Sequence, residues 1–256
     1  MALDIAYPKN ASTKESVSPA EWQARIDLAA AYRYVANKQW DGGLFNHLSI
    51  RVPDEPNRFL LKPHDLLFEE VTASSLIKLD LDSAPVGFRD NVNPAGFTIH
   101  SAVLNGRPDI NAVCHVHTVI GEAISAHGKG LRPIAQGGMK FYNRVSYHEF
   151  EGIAEHSDEC ARLQRDLGPK NMALILRNHG VLTAGTTMSQ AVTNLADLLG
   201  AAEAQLRLET AGAPVHEVPP EICEKTAQQF ERSTQAGATW NALLRQMDRL
   251  DPSYRN

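Results

Sequence analysis

Two short stretches carry the residues best suited to chemistry. CHVHT (114–118) sets His115 and His117 one residue apart in an apolar run, and RNHGVL (177–182) sets His179 between Asn178 and Gly180. On a strand, alternate side chains share a face, with their Cα atoms roughly 6.5–7 Å apart. Two imidazoles so placed reach one ion at Zn–N distances of about 2.0–2.1 Å. His179 follows the apolar run MALILR and precedes a glycine, a setting in which a chain reversal can aim a side chain back over a sheet edge. Spacing leaves two readings for it: a third ligand that meets the pair, or a residue that decorates a turn.

Three neutral imidazoles around a divalent ion leave its charge unneutralised and keep coordination positions open. Such a centre draws anionic or bidentate oxygen ligands. It polarises a carbonyl and stabilises the enediolate or carbanion left when a carbon–carbon bond breaks, which covers retro-aldol cleavage and decarboxylation alike. Zn2+ suits all-imidazole sites best; Fe2+, Mn2+, Co2+ and Ni2+ bind the same donors, and iron would open oxygen activation. For proton transfer, FYNRVSYHEFEG offers Tyr142, Tyr147, His148 and Glu149, and His148 has the intrinsic pKa of a general acid or base. The competing reading of that stretch is a polar loop with its Tyr rings packed at a subunit contact. Lys62, His64 and Asp65 in LKPHD are further pocket candidates, with Pro63 marking a turn. His100 fits a hydrogen-bonding role in the core better than a ligand role.

The elements that must position these residues are readable in part. Residues 1–17 lack any period and read as a flexible N-terminal tail. Ser18, Pro19 and Glu21 predict a helix start with a capping box, and the helix fades toward Gly42 and Gly43. FNHLSIRV and RFLLK suit paired strands. A helix is expected over about Phe97–Asn105, a strand at INAVCHVHTV, a helix at GEAISAHG, a short strand at RVSYHEF, a helix at DECARLQRDLG and a buried central strand at MALILR. Val192, Leu195, Leu199, Ala202 and Leu206 mark a long amphipathic helix over 187–210, and two more helices follow near 220–235 and 236–250. Strands and helices alternate irregularly, which points to a mixed sheet with helices on both faces. Residues 18–256 read as a single domain that includes the C-terminal helices from about 219. Trp240, Leu243, Leu244 and Met247 share one apolar face, suited either to a subunit interface or to their own core.

The 256 residues carry 43% hydrophobic and 21% charged side chains, an ordinary globular balance that excludes wholesale disorder. A net charge of −5 comes without a Lys/Arg cluster, so nucleic acid is not an expected partner. Neither a signal pattern nor a long apolar run suggests a membrane, and three cysteines without CxxC spacing suggest no disulfide framework. A cytoplasmic location is expected. HVHTVIGE also matches the His-x-His-then-Glu spacing of cupins, with Glu122 five residues after His117, but GEAISAHG and the long helices do not fit an all-β barrel.

Taken together, NGRPDINAVCHVHT, LRNHGVLTAGTTMSQAV and LLKPHDLLFEEVTASSLIKLDLD resemble the class II aldolase/adducin family, from about Trp22 to Leu208. The resemblance implies an α/β fold, a three-layer α/β/α sandwich with a mixed, largely antiparallel central sheet, assembled as a homotetramer. It also implies one divalent metal ion per subunit on His115, His117 and His179. Sugar-phosphate aldolases of the family carry a Pro-Ser-Ser-Glu stretch where this chain has Asn93, Pro94, Ala95 and Gly96, so both hydroxyls and the carboxylate are missing, as in the adducin-like branch. GLFNHLSIR matches the Gly-Asn phosphate loop and puts Asn46, His47 and Ser49 at the site. The expected function is a metal-dependent lyase acting on a small, anionic hydroxy- or oxo-acid. The alternatives are a non-haem iron oxygenase on the same three histidines and an adducin-like, non-catalytic binding or scaffold protein.

Overall fold

The computed structural model describes residues 14–82, 91–153, 157–233 and 235–256. Of the tail expected over 1–17, residues 1–13 lie outside that description, and Lys14–Ser16 form a single 3-10 turn. The strands are β1 (His47–Val52), β2 (Glu55–Leu61), β3 (Ile77–Asp80), β4 (Ala112–Val116), β5 (Val145–His148), β6 (Ala173–Leu176) and β7 (Gly180–Gly185). They form one sheet in the order β3-β2-β1-β4-β7-β6-β5, antiparallel throughout except for the parallel pair β5 and β6.

Alternation along the strands creates two cores. Leu48, Ile50 and Val52 of β1 and Ala112, Cys114 and Val116 of β4 face one side, where they meet α1 (Pro19–Asn37), α3 (Val119–Ser125), α6 (Met188–Thr210) and α8 (Gln235–Leu250). Phe59 and Leu61 of β2, Val113 of β4, and Leu174 and Leu176 of β6 face the other, under α2 (Pro94–Gly106) and α5 (Cys160–Leu167). The result is a three-layer α/β/α sandwich with a mixed, largely antiparallel sheet. Two smaller helices, α4 (Gln136–Met139) and α7 (Pro220–Glu231), pack against each other at the margin.

Local chemistry explains the boundaries. Ser18 caps α1 by accepting the Glu21 N–H, with Pro19 at the first helical position. Glu21 does not complete the expected capping box, because its carboxylate is drawn to Arg25 (2.9 Å) and Lys78 (2.6 Å), tying α1 to β3. Trp240, Leu243 and Met247 of α8 are buried in the chain's own core rather than left free for a second subunit.

Candidate metal centre

The site is built at the middle of the sheet, where three neighbouring strands end together. Ala112 through Val116 pair with β7, and His115 and His117 follow Val113 in the alternation that faces the α2 layer. His179 sits in the reversal between β6 and β7. Asn178 takes the left-handed conformation (φ 55°), which Asn tolerates, and the His179 N–H donates to Leu176 O and to Ser125 Oγ, both at 3.1 Å. Gly180 lets this turn close on β4: a Cβ there would lie 2.7 Å from the Val116 carbonyl oxygen. Ring centroids of His115, His117 and His179 consequently stand 4.6–4.9 Å apart. One ring nitrogen from each lies within 4.8 Å of the others, the only such group of metal-ligating side chains among the described residues.

The donor set fits a divalent ion. His115 Nδ1 is 3.0 Å from the Val181 carbonyl oxygen, so it carries the proton and leaves Nε2 as a lone pair toward the cluster. His117 Nε2 is 2.7 Å from His115 Nε2, a separation at which two lone pairs need a proton or a cation between them. Tetrahedral bonds of about 2.0–2.1 Å place donors about 3.3 Å apart, so modest ring movements would seat an ion. Burial pushes His115 well below the ordinary imidazole range and lowers His117 too, while His179 is pushed down to about 4, with His117 and His148 adding to the effect. Neutral imidazole is the ligating form, so burial readies all three.

A fourth histidine backs the centre. His47 is the register partner of His115 across β1 and β4, their rings 5.0 Å apart. Its Nδ1 lies 2.8 Å from His100 Nε2 on α2, and His100 Nδ1 meets Ser49 Oγ, so one buried chain of hydrogen bonds holds the ring. Desolvation holds His47 well below the usual range and pushes His100 down to about 3. Gly96 lies against this ring: a Cβ at 96 would be 2.8 Å from His47 Cδ2. Asn46 fixes the end of β4, accepting the His117 N–H and donating to Trp40 O, both at 3.0 Å.

These groups open on a cavity of about 470 Å³. Asn46, His47 and the three histidines line it, and Ser49 stands behind His47. The other residues suggested by the sequence are not on its wall. Lys62 is buried, donates to the carbonyls of Pro63, His64 and Leu66 at 2.9–3.3 Å, and is pushed down to about 8 by desolvation. His64 packs near Phe45, ring centroids 6.0 Å apart. Tyr147 accepts the Leu131 N–H and stacks under Arg177 (4.3 Å). His148 reaches Asp166 (2.8 Å) and Glu159 (3.2 Å), joining β5 to α5. Tyr142 is half-buried and Glu149 exposed. The wall instead includes Phe150, which the sequence did not point to, and Glu122, which the sequence offered only through the cupin spacing set aside with the all-β barrel. A further signal for Glu122 is its place in the first turn of a helix capped by Thr118, directly after the His pair.

Residues 26–206 match the family model described as Class II Aldolase and Adducin N-terminal domain. A Pseudomonas aeruginosa protein provisionally named aldolase class 2 protein PA3430 is 41% identical, over 96% of each chain. Alpha-adducin of Rattus norvegicus is 35% identical over 98% of this chain, which spans 37% of that longer protein. The solved L-fuculose 1-phosphate aldolase of Glaciozyma antarctica PI12 superposes with a TM-score of 0.80 at 28% identity, covering 92% of this chain and 93% of its own. Sequence likeness across most of the length and a matching architecture agree, and the chain belongs to the class II aldolase/adducin family.

Proposed function

We propose that this protein is a metal-dependent lyase that cleaves a carbon–carbon bond, by retro-aldol reaction or decarboxylation, in a small hydroxy- or oxo-acid. The convergence of His115, His117 and His179 on one cavity carries the reading. A divalent cation there, Zn2+ first among the candidates, supplies Lewis acidity for the charge left on the substrate as the bond breaks. The protein's own part is to present neutral donors, with the His115 ring oriented by Val181 O and the backbone of His117 held by Asn46. Glu122 is the carboxylate on the cavity wall and is our first candidate for moving a proton at the substrate carbon. We propose Tyr142, Tyr147, His148 and Glu149 for proton transfer from outside the cavity wall, Ser49 for holding His100 behind His47, and Lys62 and His64 for shaping the loop after β2. A homotetramer in the cytoplasm completes the proposal; all three cysteines are free, and no helix among the described residues is long and apolar enough to cross a membrane.

A second reading rests on the likeness to alpha-adducin: a non-catalytic binding module that keeps the cluster. His117→Ala separates the two. For the lyase, elemental analysis gives about one divalent ion per chain in the parent and under a tenth of that in the variant, with turnover lost. Protein that takes up no Zn2+ in equilibrium dialysis would end the lyase reading. Substrate-dependent oxygen uptake by iron-loaded protein would redirect it to an oxygenase.

A further inference from the structure

We infer that the cavity selects acids with an apolar, aryl-sized tail and discriminates against phosphorylated ones. The inference rests on the metal-centre reading above and adds the substrate's other end. Besides the histidines the wall carries Phe45, Ile99, Phe150 and Ile153, and the Phe150 ring lies 6.3 Å from that of His179. Phe45, Phe150 and Ile153 are 63%, 55% and 75% exposed, so large apolar side chains stand open to solvent around this one cavity. Exposed apolar surface gathered at a concave polar site marks ligand contact. A volume of about 470 Å³ lies within the usual span of small-molecule sites.

The same wall offers a phosphate little. Among the described residues, neither Lys nor Arg lines it. Lys62 is spent on three backbone carbonyls, and Glu122 places a negative charge on the rim. The start of α2, which borders the cavity, offers few donors as well: Pro94 has no N–H, the Ala95 N–H donates to Asn93 Oδ1 (3.1 Å) and that of Phe97 to Asn93 O (2.9 Å), which leaves the Gly96 N–H as the one unengaged donor of the first turn. A second anionic group on a substrate would meet no counter-charge there, whereas a phenyl ring would cover the aromatic and aliphatic surface.

Calorimetry on the Zn2+-loaded full chain tests this with phenylpyruvate, pyruvate and dihydroxyacetone phosphate as probes. Phenylpyruvate should bind about tenfold or more tighter than pyruvate, the gain expected from covering a ring's apolar area, and the phosphate ester should bind no tighter than pyruvate. Phe150→Ala and, separately, Phe45→Ala should each reduce the phenylpyruvate-to-pyruvate ratio by about threefold or more; both positions are exposed, so folding is not at issue. Equal binding of the two oxo-acids, a preference for the phosphate ester, or a ratio unmoved by both variants would overturn the inference while the metal centre stands. Failure to load Zn2+ would instead remove the reading beneath it.

Discussion

A histidine shut away from water is a base that has lost its appetite for protons, and this protein gathers several. His100 shows the consequence most cleanly, since it is fully buried on α2 and bonded to His47 and Ser49. In the unfolded chain it takes a proton near pH 6.5, but in the folded one only at about 3. Between those values the unfolded state binds more protons, so stability is fully present above pH 6.5 and declines as pH falls. Urea titrations of metal-free protein should show a loss of about 2 kcal/mol from His100 alone between pH 7 and pH 5. His100→Asn should make the slope shallower by about that share, the other buried histidines keeping the rest. An unchanged midpoint across this interval would refute the burial argument.

At the scale of elements, the approach of the β6–β7 turn to β4 decides whether the three imidazoles meet. Gly180→Ala would push a methyl group against the Val116 carbonyl, and we expect a cost of about 1–3 kcal/mol in denaturant unfolding together with weaker Zn2+ uptake. A variant of normal stability and normal metal content would show that the turn has room to spare. This contact also marks where sequence reading stopped. His115, His117 and His179 were legible by type and spacing, the long helices by periodicity, β1, β2, β4 and β5 by their strand-like composition, and β6 as a continuous apolar run. β7 was not: GVLTAG is short, buried on both faces and bounded by glycines, so it shows no alternation, and NHG reads as the end of a segment rather than the start of one. Without β7, nothing local says which strands are neighbours, and the convergence of His179 with the pair is a matter of long-range pairing. Lys62 misleads for a similar reason, because only the folded loop reveals the three carbonyls that claim its ammonium group. Glu21 reads as a local cap, yet a distant lysine on β3 outcompetes the helix end for it.

Across the whole molecule, the two faces of the sheet divide the labour. The α2 face carries the histidines, and the α1 face carries the larger core, closed by the chain's last residues. Tyr254 is fully buried there, its carbonyl accepts the Ala73 N–H at 2.9 Å, and its hydroxyl donates to Asp248 at 2.8 Å. Tyr254→Ala should destabilise the fold by about 3 kcal/mol, as large-to-small core changes do, without altering metal content per folded chain. A matching loss of metal in the folded fraction would show that the two faces are coupled.

Gly96 and His47 impose an order on any attempt to rebuild this pocket. The imidazole is fastened from behind and already fills the ground over which a side chain at 96 would extend. Enlarging 96 first would therefore meet a collision, whereas trimming 47 first would leave a hollow that a later change can occupy. Mutational routes through these two positions are one-way streets, and a screen that samples them singly would discard a combination it never gets to see.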